Sequence, residues 1–201
     1  MRLGLFGGSF DPVHYGHLLL AEQCREQCEL DEIWFLPAGR PPHKPVERLT
    51  AGEHRTAMLS LAVSDHPAFV VSRIELDRSG TTYTVETLLE VRDRHPDCEL
   101  HFLLGSDSLR DLPNWREPAR IGTLAAIVAV NRGRVAAAAE REWCDRHLPR
   151  EISERLQFIS IPAVDLSASD IRARVRRGAS IRFMTPPAVA AYIREQKLYQ
   201  E

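Results

Sequence analysis

Short apolar runs alternate along this chain with stretches in which apolar residues recur every three or four positions. The runs LGLF (3–6), EIWFLP (32–37), FVVSRI (69–74), ELHFLLG (99–105), AAIVAV (125–130) and LQFISI (156–161) are short and mostly near-continuous in apolar character. Strands covered on both faces of a parallel sheet read this way. Between them, residues 15–29, 51–64, 84–94, about 116–122 and 135–146 carry helical spacing. Strand and helix in repeated alternation predict βαβ units. With right-handed crossovers these build an α/β fold, a Rossmann-like doubly wound parallel sheet.

Local signals sharpen the boundaries. Thr50–Glu53 (TAGE) fits a capping box that starts the second helix, and Ser167–Asp170 (SASD) resembles another. Pro186 and Pro187 suit the first turn of a last helix, PAVAAYIREQ. The tail is therefore expected to hold two short helices joined by a turn at 177–185, a small C-terminal helical appendage. This divides the chain into a core, 1–165, and a helical subdomain, 166–201. The segment PAGRPPHKPVER (37–48) contains four prolines and one glycine and is expected to be a long loop, a common site of function.

Composition narrows the chemistry. With 201 residues and a formal net charge of -2, the chain is long enough for a real core and carries no strong overall field for nucleic acid or an anionic membrane. No apolar run approaches the roughly 20 residues of a membrane span, and no signal-peptide pattern opens the chain, so a cytoplasmic location is expected. Cys24, Cys28, Cys98 and Cys144 are too scattered for a disulfide framework or a zinc site and read as buried thiols. Of 26 basic residues only Lys44 and Lys197 are lysine, which singles out Lys44 in the proline-rich loop.

The chemistry concentrates in GGSFDPVHYGH, residues 7–17, between the first strand and the first helix. The strand is expected to end at Phe6, with a loop of about seven residues leading to the helix. Glycines let backbone approach a ligand, and a helix start offers unpaired amides and the positive end of its dipole. The motif is neither GxxxxGK[ST] nor GxGxxG. In place of a lysine it has His14 and His17, three apart on one helix face, with Gly16 leaving room between them. Imidazoles so placed donate hydrogen bonds that strengthen as charge builds on a phosphate.

GGSFDPVHYGH resembles the signature of the nucleotidyltransferase superfamily that carries HxGH. PPHK (41–44), GTTYTVETL (80–88), GSDSLRDLPNW (105–115), LSASDIRARVRRG (166–178) and the ending PPAVAAYIREQKLY extend the likeness, in order, to the bacterial nicotinate-nucleotide adenylyltransferase family. The resemblance implies transfer of the adenylyl group of ATP to nicotinate mononucleotide, with pyrophosphate released and Mg²⁺ accompanying ATP. It also implies that Gly7, Gly8, Ser9 and Phe10 line the turn receiving the triphosphate, with His14 and His17 on its oxygens. Gly105 and Asp107 would lie near the adenosine or the reacting phosphates. Ser167, Ser169 and Arg172 would meet the distal phosphates; Arg172 is read in the first helical turn, where a cation is disfavoured without an anion.

On the mononucleotide side the resemblance implies stacking of Trp115 on the pyridine and reception of its carboxylate by amides near Tyr83 and Thr84. Lys44 would meet a substrate phosphate, and Asp11 and Arg132 complete that side. The chain departs from its relatives at Ser167-Ala168-Ser169, at Arg116 after the tryptophan and at Asn131-Arg132-Gly133 after the fifth strand. Preference for nicotinamide mononucleotide, a phosphopantetheine adenylyltransferase, a nucleotide-sensing module and an RNA-binding fragment remain as alternatives. Oligomeric state is not legible.

Overall fold

The computed structural model describes residues 1–41, 49–132 and 137–200. Its six strands are β1 (Arg2–Gly8), β2 (Glu32–Pro37), β3 (Phe69–Val71), β4 (Glu99–Gly105), β5 (Ala126–Arg132) and β6 (Gln157–Ile161). They form one sheet in the order β3-β2-β1-β4-β5-β6, every neighbouring pair parallel. The order reverses between β1 and β4, so a crevice opens beyond their carboxyl ends, where ligands bind in sheets of this type. The helices are α1 (Tyr15–Gln27), α2 (Gly52–Val63), α3 (Thr84–Arg94), α4 (Ser106–Asp111), α5 (Pro118–Leu124), α6 (Ala137–His147), α7 (Arg150–Ser153), α8 (Ala168–Arg176) and α9 (Pro187–Glu195).

Alternate strand residues feed two cores, one on each face. Leu3, Leu5, Leu100, Phe102, Leu104, Ile127 and Ala129 pack with Leu88 of α3, Ile121 of α5, Cys144 of α6 and Ile152 of α7. Ile33, Phe35, Leu103, Val128 and Val130 pack on the other face with Leu20 of α1, Met58 of α2 and Val189 and Ile193 of α9. The near-continuous apolar runs follow from this double burial. Cys24, Cys28 and Cys144 are buried, and desolvation raises the pKa of each thiol.

Several boundaries differ from expectation. β1 runs on through Gly7 and Gly8, which pair with Leu36 and Pro37, so the connection to α1 is shorter than the seven residues expected. β3 stops at Val71 because the chain bends into a turn closed by Asp77 N–H on the Arg73 carbonyl. The capping box at Thr50–Glu53 does not form: α2 starts at Gly52 with Ala51 as its cap, while the Thr50 amide and carbonyl are engaged by Asp11 and Arg55. Ser167 does cap α8, accepting the Asp170 amide at 3.0 Å and donating its hydroxyl to the Asp170 carboxylate. The short helices α4 and α7 carry no separate signal in the apolar pattern.

His101 lies in β4 with no solvent exposure, beside Gly4 and Ala126 and 3.3 Å from the Glu99 carboxylate. Burial holds its pKa below the ordinary histidine value against the pull of Glu99. The unfolded chain therefore takes up this proton first, and stability falls as pH drops through about 6.5 toward the folded-state value. The urea midpoint is expected to decrease between about pH 7.5 and 5.5, and His101→Leu to flatten that slope. An unchanged slope in the variant contradicts this assignment.

Candidate active site

The turn from Ser9 to His14 is built by close packing. Phe10 adopts a left-handed backbone (φ 48°), and its ring is buried edge-on against Phe6, with centroids 5.3 Å apart. A Cβ at Gly8 would lie 2.9 Å from Cζ of Phe10, so glycine there makes room for the ring. Phe10 thus sits beneath the turn, whereas the sequence expectation has it lining the triphosphate site. Its ring also meets the His17 ring at 5.0 Å and 70°.

His14 is the N-cap of α1 and is buried; a Cβ at Gly16 would stand 3.0 Å from its ring, which is the physical need for glycine between the histidines. The two imidazoles stack with centroids 3.7 Å apart. His17 Nδ1 accepts the His14 backbone N–H at 3.2 Å, the return half of a capping box. A neutral His17 that accepts at Nδ1 carries its proton on Nε2, as a donor. The expected open set of helix-end amides is partly used: Tyr15 N–H donates to the Met184 carbonyl at 3.1 Å and His17 N–H to the His14 carbonyl at 2.9 Å.

Struts from distant parts of the chain fix this turn. Asp11 is buried; its Oδ1 accepts the Tyr199 hydroxyl at 2.6 Å and its Oδ2 accepts the Thr50 amide at 3.1 Å. Its carbonyl accepts Nη1 of Arg172 at 2.6 Å, and the Val13 carbonyl accepts the Thr185 hydroxyl at 2.7 Å. Arg55, buried on α2, donates to the carbonyls of Ser9, Ala38 and Thr50 at 2.8–3.0 Å. Burial lowers the Arg55 pKa, and the nearby Asp11 carboxylate opposes that shift. Arg172 stands beyond the first turn of α8, contrary to expectation, because the helix starts at Ala168; its partners are the Asp11 carbonyl and, at 3.3 Å, the Ser169 hydroxyl.

A cavity of about 610 Å³ opens beside the turn, over the carboxyl ends of β1 and β4. Gly7, Gly8 and Ser9 form one part of its lining; Tyr83, Thr84, Trp115 and Arg116 form another, with Glu75 and Phe102 also on the wall. Tyr83 caps α3, whose first helical bonds run from the Glu86 and Thr87 amides to the Tyr83 carbonyl, so the Thr84 amide precedes the ladder. Trp115 is half-buried, its ring edge-on to Phe102 at 6.2 Å. The Arg116 guanidinium lies 4.6 Å over the Tyr83 ring and donates to Glu86 at 2.9 Å. Burial raises the Glu75 pKa, opposed by the hydrogen bond from Thr87, the Gly39 amide and the charge of Arg78.

Of the residues singled out from sequence, Gly7, Gly8, Ser9, Tyr83, Thr84 and Trp115 meet in this cavity. Asp11 is buried behind the turn and does not line it. Arg172 reaches the turn from α8 with Ser169 bonded to it, Ser167 caps that helix on Asp170, and Gly105 ends β4 and caps α4. Lys44 and the side chains of Asp107 and Arg132 lie outside the described residues. Among the described residues no three His, Cys, Asp or Glu side chains gather as a metal cage, and no helix is long and apolar enough to cross a membrane.

Sequence reasoning passed over Arg55 and Tyr199. Arg55 had a signal: Arg55, Met58, Leu59, Ala62 and Val63 share the buried face of α2, so a charge occupied a core position. Tyr199 had none beyond its own residue type.

The cytidylyltransferase-like family matches residues 5–174. A protein of Roseiflexus sp. is 45% identical over 98% of this chain and 98% of its own, and one of Thermomicrobium roseum is 42% identical over 99% and 92%. Both bear the name "Probable nicotinate-nucleotide adenylyltransferase". Plasmodium falciparum nicotinic acid mononucleotide adenylyltransferase, solved in complex with NaAD, superposes with a TM-score of 0.80 at 23% identity, over 98% of this chain and 97% of that one, a likeness of fold. Full-length identity at this level, on top of the shared architecture, makes the chain a member of the cytidylyltransferase-like family and, within it, of the nicotinate-nucleotide adenylyltransferases.

Proposed function

We propose that the protein transfers the adenylyl group of ATP to nicotinate mononucleotide, giving nicotinate adenine dinucleotide and pyrophosphate. The observation that carries this reading is the crevice itself: Gly7, Gly8 and Ser9, which lead into the histidine-bearing turn, line a cavity with an aromatic wall at Trp115 and a helix start at Thr84, and His14 and His17 stand beside it without lining it. An ionised phosphate oxygen of the mononucleotide attacks the α-phosphorus of ATP, and the α–β bridging oxygen leaves with pyrophosphate. Such a nucleophile requires no general base, so the protein contributes position and charge stabilisation.

In this reading Gly7, Gly8 and Ser9 admit the phosphates, and His14 and His17 hold the oxygens on which charge grows. Residues 166–201 complete the ATP side, with Arg172 and Ser169 at the distal phosphates. The mononucleotide lies with its phosphate toward Ser9 and its ring against Trp115, the carboxylate facing the Thr84 amide and the positive end of α3. Mg²⁺ would come with ATP and offset the charge of its phosphates; among the described residues no group of three His, Cys, Asp or Glu side chains gathers to hold it independently.

Pyrophosphate release with ATP and each mononucleotide tests the reading. The expected result is turnover with kcat/KM at least about tenfold higher for the acid than for the amide, since one misdirected hydrogen bond and a lost charge cost over about 1.4 kcal/mol. Preference for the amide overturns the substrate, and binding without turnover favours a sensor. Trp115→Ala is expected to raise KM for the mononucleotide about tenfold while leaving that for ATP within about twofold, as the loss of stacking on one ligand predicts. Equal effects on both would make this tryptophan structural.

A further inference from the structure

We propose that Tyr199 is a positioning residue for the transfer reaction, acting through Asp11 to hold the histidine-bearing turn. The inference rests on the function proposed above. α9 ends in a Schellman motif: Leu198 N–H donates to the Ile193 carbonyl and Lys197 N–H to the Arg194 carbonyl. Lys197 takes the left-handed position (φ 52°) that glycine usually fills, and Tyr199 is left-handed as well (φ 62°). Side chains are strained in this region, and such conformations persist where surrounding contacts over-determine them.

What the reversal delivers is the Tyr199 hydroxyl, 2.6 Å from Oδ1 of Asp11, across 188 residues of chain. The same carboxylate holds the Thr50 amide, and the same residue's carbonyl holds Arg172. Three residues beyond Asp11 stands His14, whose ring stacks on that of His17. Tyr199 thus donates to the buried residue on which three struts of the turn converge. Loss of the hydroxyl leaves Asp11 Oδ1 without that donor and lets the turn shift, and small displacements of positioned groups are costly in catalysis.

The test uses full-length Tyr199→Phe, Asp11→Ala and the double variant. In Tyr199→Phe the ring stays and only the donor goes, so kcat is expected to fall about tenfold, KM for the mononucleotide to stay within about twofold, and the melting temperature to drop by no more than about 5 °C. Asp11→Ala is expected to cost at least as much, and the double variant no more than the worse single one, because the Tyr199–Asp11 contact is already absent in either. Independently of activity, amide exchange over residues 9–15 is expected to accelerate about tenfold in Tyr199→Phe. Wild-type kcat with unchanged exchange in that variant overturns the proposal, as do losses that multiply in the double variant. A wild-type chain that releases no pyrophosphate overturns the functional reading as well.

Discussion

Replacing His17 with alanine is expected to lower kcat by about a hundredfold or more, the cost of removing one preorganised donor from a developing oxyanion. The basis is the tautomer: Nδ1 accepts the His14 amide at 3.2 Å, so in the neutral ring the proton stands on Nε2, the donor that the proposed reaction uses. The donor is rigid, since the ring is stacked on His14 at 3.7 Å and backed by Phe10 at 5.0 Å. Alanine also removes the acceptor for the cap, at a cost of about 1 kcal/mol in stability. His17→Asn separates the two effects by restoring an acceptor without the imidazole donor. The measurement is steady-state pyrophosphate release beside thermal melting. Wild-type turnover in His17→Ala would remove this histidine from the chemistry.

The second large effect is expected at Arg55. Its guanidinium is buried and serves three carbonyls, those of Ser9, Ala38 and Thr50. Arg55→Leu keeps an apolar side chain on the buried face of α2 and leaves those carbonyls without a donor, for an expected loss of about 3–5 kcal/mol. Arg55→Lys retains the charge without the planar fork and is expected to recover only part of it. Urea unfolding reads the stability. Activity below the unfolding transition should also fall, because Ser9 and Ala38 flank the crevice. Stability unchanged in Arg55→Leu would mean that water replaces all three bonds.

The doubly wound sheet was legible because both its faces are buried, which leaves strands such as ELHFLLG almost without polar interruption. Local chemistry was legible where the partners are local, as at Ser167 and Asp170, or at Gly16 beside His14. Thr50 shows where this stops: its motif fits a capping box, yet its amide is taken by a carboxylate 39 positions earlier. Asp11 and Arg172 were read as ligand-facing, and the structure joins them to each other through a backbone carbonyl. Arg55 was visible only as a charge in an apolar stripe. The site's reacting groups are thus close in sequence, while the residues that aim them are not.

The bond between Tyr199 and Asp11 also orders events in the life of the molecule. The turn and the residue that straps it lie 188 positions apart, so the bond closes only once the chain has been made through the reversal after α9. A nascent chain that ends between α1 and that reversal carries both imidazoles and lacks the latch.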